Sequence, residues 1–183
     1  MMKGLFKYIQ SDFARYKKRA TIKNIIINVF FLKNVSIAFC FWLRLCQYNN
    51  IFTPLAIVMH LRLSRKFGLQ IPRKTRIGYG FAINHAISIV IHPNTIIGNN
   101  CTICQFLTIG SGNGNPAIIR DNVYIGPSVC IVNKVEIGNN ATIGAGAVVI
   151  KDVPPNSTVG GVPAKVISLN DPGRLIKNKW VIK

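Results

Sequence analysis

A six-residue period runs through the second half of this chain. Aliphatic residues stand at Ile77 and Ile83 and, after a two-residue offset, at Ile91, Ile97, Ile103 and Ile109. After a second interruption they resume at Ile119, Ile125, Ile131, Ile137, Ile143 and Val149. Four places after many of them come small or medium residues, among them Thr95, Cys101, Leu107, Val123, Val129, Val135, Ala141, Ala147 and Val153. A helix would repeat at about 3.6 residues and a half-buried strand at about two, so neither accounts for the pattern. A short strand followed by a turn does. Each repeat then forms one side of a prism, with the aliphatic and the smaller residue facing inward and Gly or Asn at corners where positive φ is tolerated. Three sides close a coil of about eighteen residues, and stacked coils bury a continuous apolar stripe. The spacing predicts a parallel β-helix over 69–168 and leaves its handedness open.

Residues 1–68 have a different character. The chain carries 23 Lys and Arg against 5 Asp and Glu, a net charge of +18, and Asp12 is the single acid in this first segment. Such an excess calls for an anionic partner. No helix-turn-helix, zinc-finger or aromatic-basic RNA-reading pattern is visible, so nucleic acid is not expected. The apolar stretches Ile25–Leu32 and Val35–Leu43 are cut by Lys33 and Arg44, and 51–61 is interrupted by Pro54 and His60. All fall short of the roughly 18–20 apolar residues of a spanning helix. They read as helices, either lying on anionic lipid or packed as a cap on the assembly, with His60 a packing residue. No signal-peptide pattern opens the chain and the five cysteines are an odd set, so a cytoplasmic, reducing location is expected, with peripheral placement at the inner face of the membrane as its variant. Cys101 and Cys104 have a metal-like spacing without a second pair, and no metal is expected. Residues 169–183 follow as a basic tail after the turn signal Asp171-Pro172-Gly173.

The repeats Ile97-Gly-Asn-Asn-Cys-Thr and Ile137-Gly-Asn-Asn-Ala-Thr, with the run from Ile143 through Gly160-Gly-Val-Pro-Ala-Lys165 to Ile167, resemble the hexapeptide-repeat acyltransferases. The similarity is greatest to their serine acetyltransferase-like branch, including versions associated with bacterial capsule and O-antigen clusters. It covers roughly 68–167. Asp12-Phe-Ala-Arg-Tyr and Phe41-Trp-Leu-Arg-Leu-Cys-Gln-Tyr resemble the helical cap of the capsule-type members more loosely. The resemblance implies a left-handed prism, a homotrimer and acetyl-CoA as acetyl donor.

Two places break the six-residue rhythm, and breaks are where function concentrates. One holds His85 and His92; the other is the glycine-rich insertion from Gly110 to Ile118. Acetylating a hydroxyl needs a base for its proton, and a histidine with a reference pKa near 6.5 suits the task. By resemblance His85 is that general base. His92 is either a substrate-side residue or a surface corner. Asn84 stands where the serine enzymes carry an acid before the histidine, Gln70-Ile-Pro-Arg where they carry Asp-Ile-His-Pro, and Gly114-Asn115-Pro116 where they carry Arg-His-Pro. An amino-acid acceptor wants carboxylates and a cation around it. These departures favour a sugar hydroxyl of a cell-surface polysaccharide or its precursor over free serine, with Asn84, His92 and Asn115 on the acceptor side. L-Serine as acceptor and a non-catalytic, membrane-associated trimeric scaffold are the alternatives. For the donor, Gly144, Ala145, Gly146 and Gly161 would admit a pantetheine arm close to the backbone, and Lys151 and Lys165 would meet phosphates.

Overall fold

The computed structural model describes residues 2–112 and 114–181, with side chains from residue 4 onward. Four α-helices precede the prism: α1 (Met2–Arg15), α2 (Ile22–Ile25), which continues as a π-helical segment Ile26–Phe30, α3 (Val35–Gln47) and α4 (Thr53–Phe67). Local chemistry sets their limits. Asn34 caps α3, its side-chain oxygen accepting the Ile37 N–H at 3.0 Å. Pro54 enters the first turn of α4, and Gly68 ends it in the left-handed region at φ 66°. Leu69 then begins the first strand. The π-helical winding is not announced by any residue pattern.

Three parallel sheets form the walls. The first stacks Leu69–Gln70, Ile89–Ile91, Thr108–Gly110, Cys130–Val132 and Val148–Val149; the second stacks Arg76–Ile77, Ile96–Ile97, Ile118–Ile119 and Glu136–Ile137. The third stacks Ala82–Asn84, Thr102–Cys104, Tyr124–Ile125, Thr142–Ile143 and Thr158–Gly160, and Lys165–Ser168 closes it as an antiparallel strand. The register explains the two breaks. Regular rungs pair Val90 with Thr108 and Cys130 with Val148. The first break lengthens a coil so that Ala82 meets Thr102, and the insertion lengthens the next so that Thr102 meets Tyr124. The extra residues are absorbed at corners, so every strand keeps its aliphatic residue inward. Ile83, Ile103, Ile125 and Ile143 are fully buried in one column; Ile91, Ile109, Ile131 and Val149 form the next. Each such side chain contributes about 1.5–3 kcal/mol relative to exposure. Corners between the second and third sheets carry Asn100, Asn122, Asn140 and Asn156, all at positive φ.

The cap is joined to the lowest coil through buried polar groups. Arg44 makes a bidentate pair with Asp12 at 2.8 and 3.1 Å and donates to the Ile77 and Gly78 carbonyls at 2.8 and 2.6 Å. Burial opposes its charge, and the Asp12 carboxylate outweighs burial, so the guanidinium stays ionised. Arg15 donates to Thr102 and to the Gly80 and Lys177 carbonyls. Residues 173–180 therefore have a defined course. They fold back along the prism, where Gly173 donates to Asn140 O, Trp180 exchanges two bonds with Asn100, and Asn178 donates to Arg15 O.

Candidate active site

His85 follows the strand Ala82–Asn84, where the chain turns from the third sheet into the first. The first break lies here, and two residues take left-handed φ: His85 at 53° and Ser88 at 50°. Histidine is one of the few non-glycine residues that visit this region with any frequency. The Ile87 N–H closes the turn on His85 O at 2.8 Å, and the imidazole is exposed. It opens on a cavity of about 530 Å³. Tyr16, Asn34, Ser36 and Phe67 from the cap form one side, and 83–87 form the other. Tyr16 anchors the approach to His85. Its hydroxyl donates to Ile83 O at 3.0 Å and accepts the Ile83 N–H at 2.8 Å. Burial first, and then the nearby Cys40, push the phenol well above its usual range, so it remains neutral. None of the residues lining this cavity is a carboxylate, Lys or Arg.

Above His85 the same corner recurs in every coil. Ser128 donates to Gln105 O, Gly146 to Pro127 O, Gly144 to Val159 O and Val148 to Gly161 O. The corner thus forms a column from His85 through Gln105 and Pro127 to Gly144-Ala145-Gly146 and Gly161. Adjacent rungs lie about 4.8 Å apart, so the Gly144–Gly146 rung stands roughly 14 Å from that of His85. Gly146 takes φ +68° and faces open space where a side chain would stand. Lys165 lies opposite Gly160 on the antiparallel strand beside this rung, and Lys151 is exposed just beyond Val149. Gln105 was not singled out from the sequence. Its side-chain oxygen is buried on this column without a hydrogen-bond partner among the described residues. The signal was its place one coil above His85.

Other candidates lie elsewhere. His92 is at the next corner, where its Nδ1 accepts the Asn94 N–H at 3.2 Å. It lines a separate cavity of about 750 Å³ with His60, Gln70 and Ser111. Asn115 sits exposed on the loop after Gly110, outside the lining of the His85 cavity. Asn84 runs along the outer wall to Cys104, whose thiol meets Tyr124 Oη at 3.3 Å. Burial, then the contact with Cys104, pushes the Tyr124 phenol up to about 12. Cys101 and Cys104 face opposite sides of the wall. Cys101 is in the prism core, and burial pushes its thiol up to about 12. Among the described residues no cluster of His, Cys, Asp and Glu has the makings of a metal site.

The family model described as bacterial transferase hexapeptide (six repeats) matches residues 116–151. The chain is 37% identical over 128 residues to the serine acetyltransferase of Escherichia coli K12, covering 68% of this chain and 47% of that protein. It superposes on the Neisseria gonorrhoeae serine acetyltransferase solved in complex with serine with a TM-score of 0.74 and 31% identity, over 91% of this chain and 70% of that one. The chain belongs to the hexapeptide-repeat acyltransferases, in their serine acetyltransferase-like branch. A serine acetyltransferase solved in complex with CoA matches this hexapeptide acyltransferase at a TM-score of 0.73 and 26% identity, over 90% of this chain and 70% of that one. The chain spans about half the length of the curated relatives it matches, 47% for the E. coli protein.

The polysaccharide acceptor expected from Asn84, Gln70 and Asn115 finds no support among these relatives, whose names specify serine. The three residues are also not gathered at one place: Asn84 lines the His85 cavity, Gln70 lines the His92 cavity, and Asn115 lines neither.

Proposed function

We propose that this hexapeptide acyltransferase moves an acetyl group from acetyl-CoA to a hydroxyl, with His85 as general base and L-serine as the acceptor. The observation that carries the reading is the exposed His85 imidazole, in a cavity at the foot of a corner column that climbs to the glycine-rich last coil. Acetyl-CoA would lie along that column. Its pantetheine arm would run past Gln105 and Pro127, with Gly144, Ala145, Gly146 and Gly161 leaving the backbone approachable and Lys151 and Lys165 within the phosphate end. The neutral imidazole takes the acceptor's hydroxyl proton as its oxygen bonds to the thioester carbonyl carbon. The tetrahedral intermediate then expels the CoA sulfur, which receives the proton back from the imidazolium. Backbone N–H groups of the corner turns are suited to the transient oxyanion. Serine is favoured because the relatives are named for it. The homotrimer implied by the resemblance is part of the proposal.

A second reading keeps the reaction and changes the acceptor to an uncharged hydroxyl compound such as a sugar. The absence of any carboxylate, Lys or Arg from the residues lining the His85 cavity favours it, because a zwitterion leaves its charges unpaired there. CoA thiol release from acetyl-CoA, measured with L-serine and with a panel of monosaccharides and glycans, decides between the two. Serine-dependent release is the expected result. Release with a sugar alone would move the acceptor to the second reading. Acetyl-CoA binding without release in any mixture would leave only a scaffold.

A further inference from the structure

We infer that the elbow from Ile22 to Lys33 is a docking surface for an anionic lipid bilayer. α2 and the π-helical segment after it turn at unequal rates, fewer than four residues per turn in the first and more than four in the second, and average close to four. Residues four apart therefore line up along the outside. They are Ile22, Ile26 and Phe30, exposed by 79%, 42% and 58%, and Phe31 caps the row at 77%. The inner side is Asn28 and Val29, both buried. The elbow is held rather than loose. Thr21 accepts the Asn24 N–H, Asn28 Nδ2 donates to Asn24 O at 2.7 Å, and Lys18 Nζ donates to Asn28 Oδ1 at 2.5 Å.

Cations flank this apolar row along the chain: Lys17 and Arg19 before it, Lys23 within it and Lys33 after it, all exposed. The helical cap has no carboxylate to offset them, because Asp12 is its only acid and is buried against Arg44. Among the described residues none of these four cations makes a salt bridge. An exposed apolar row flanked by exposed cations matches a bilayer surface twice, through its acyl boundary and its anionic headgroups. A second copy of the chain matches it only once, since two such faces would bring like charges together. No single helix among the described residues is long and apolar enough to cross a membrane; the elbow and α3 together have the length and composition, but they are bent by 106° and most of α3 is buried against the rest of the chain, so the contact we infer is a peripheral one. Asn34, Val35 and Ser36 follow the elbow directly and also line the His85 cavity, so docking would hold that cavity beside the lipid surface.

The test is co-sedimentation of the full chain with large vesicles of phosphatidylcholine alone and of phosphatidylcholine with about 30% phosphatidylglycerol, at low and high salt. The expected result is binding to the anionic vesicles that weakens with salt. Ile22→Ser with Phe31→Ser should reduce it by about tenfold or more, and Lys17→Glu, Lys23→Glu and Lys33→Glu together should abolish the preference for anionic lipid. These side chains are exposed, and circular dichroism with light scattering on each variant shows that fold and mass are kept. Binding unchanged in the Ile22/Phe31 variant, or no binding of the wild type to either vesicle, overturns the inference. So does a concentration-dependent association of the wild type that the same variant abolishes, which would assign the face to a second copy.

Discussion

His85 combines a left-handed backbone with an exposed imidazole at the one corner where the coil carries two extra residues. A substitution there acts on backbone and chemistry together. His85→Asn separates them, because asparagine also tolerates positive φ while lacking a basic nitrogen. This variant is expected to keep its melting temperature and its acetyl-CoA affinity, measured calorimetrically. Its turnover should fall by about 10²–10⁴-fold, the usual contribution of a positioned base. Equal turnover in the two proteins would remove His85 from the role. Tyr16 acts through the strand rather than the substrate, since both of its hydrogen bonds go to the Ile83 backbone.

At the scale of elements, a buried ion pair is one anchor of the joint between the helical cap and the prism. Asp12 on α1 and Arg44 on α3 bind each other and together reach Ile77 O, Gly78 O and the Phe81 N–H on the lowest coil. Tyr8 stacks on Tyr79 at 4.0 Å, and the Arg44 guanidinium lies 4.6 Å over the Tyr8 ring. Removing one partner leaves the other charge buried and uncompensated. Arg44→Ala should therefore cost about 3–5 kcal/mol, read from urea unfolding. A loss below about 1 kcal/mol would mean that water enters the joint and solvates Asp12. The joint was only faintly legible beforehand. Asp12-Phe-Ala-Arg-Tyr and the Phe41–Tyr48 run stood out as resemblances, but their pairing through Asp12 and Arg44 spans 32 residues of sequence with no periodicity to mark it.

Across the whole molecule, the cap also meets the prism through His60 on α4. Its Nε2–H donates to Ile71 O at 3.1 Å, the Phe39 ring lies 5.1 Å away, and burial lowers the imidazole pKa, with the nearby Arg73 acting in the same direction. The folded chain thus holds this histidine neutral. In the unfolded chain it gains a proton near pH 6.5, so the unfolded state binds more protons just below that value. The stability due to neutral His60 is complete above pH about 6.5 and is lost as pH falls toward the lower folded-state value. Melting temperatures measured from neutral to mildly acidic pH should fall more steeply for the wild type than for His60→Gln. Parallel curves would show that the imidazole does not report on the joint.

The prism was legible from its amino acids because a solenoid makes long-range packing periodic. An inward residue meets its counterpart one coil later, at a nearly constant distance along the chain, so Ile83, Ile103, Ile125 and Ile143 announce their contacts by spacing alone. The two interruptions were legible for the same reason, and one of them holds His85. What lacks a period had to wait for the fold. Tyr16 reaches Ile83 across 67 residues and Asn178 reaches Arg15 across 163, and no local preference encodes such pairings. Tertiary packing alone decided that the cap would wall the His85 cavity, that His92 and Asn115 would lie outside it, and that the tail would close on α1. Those contacts join segments of unlike structure, and only their shared burial brings them together.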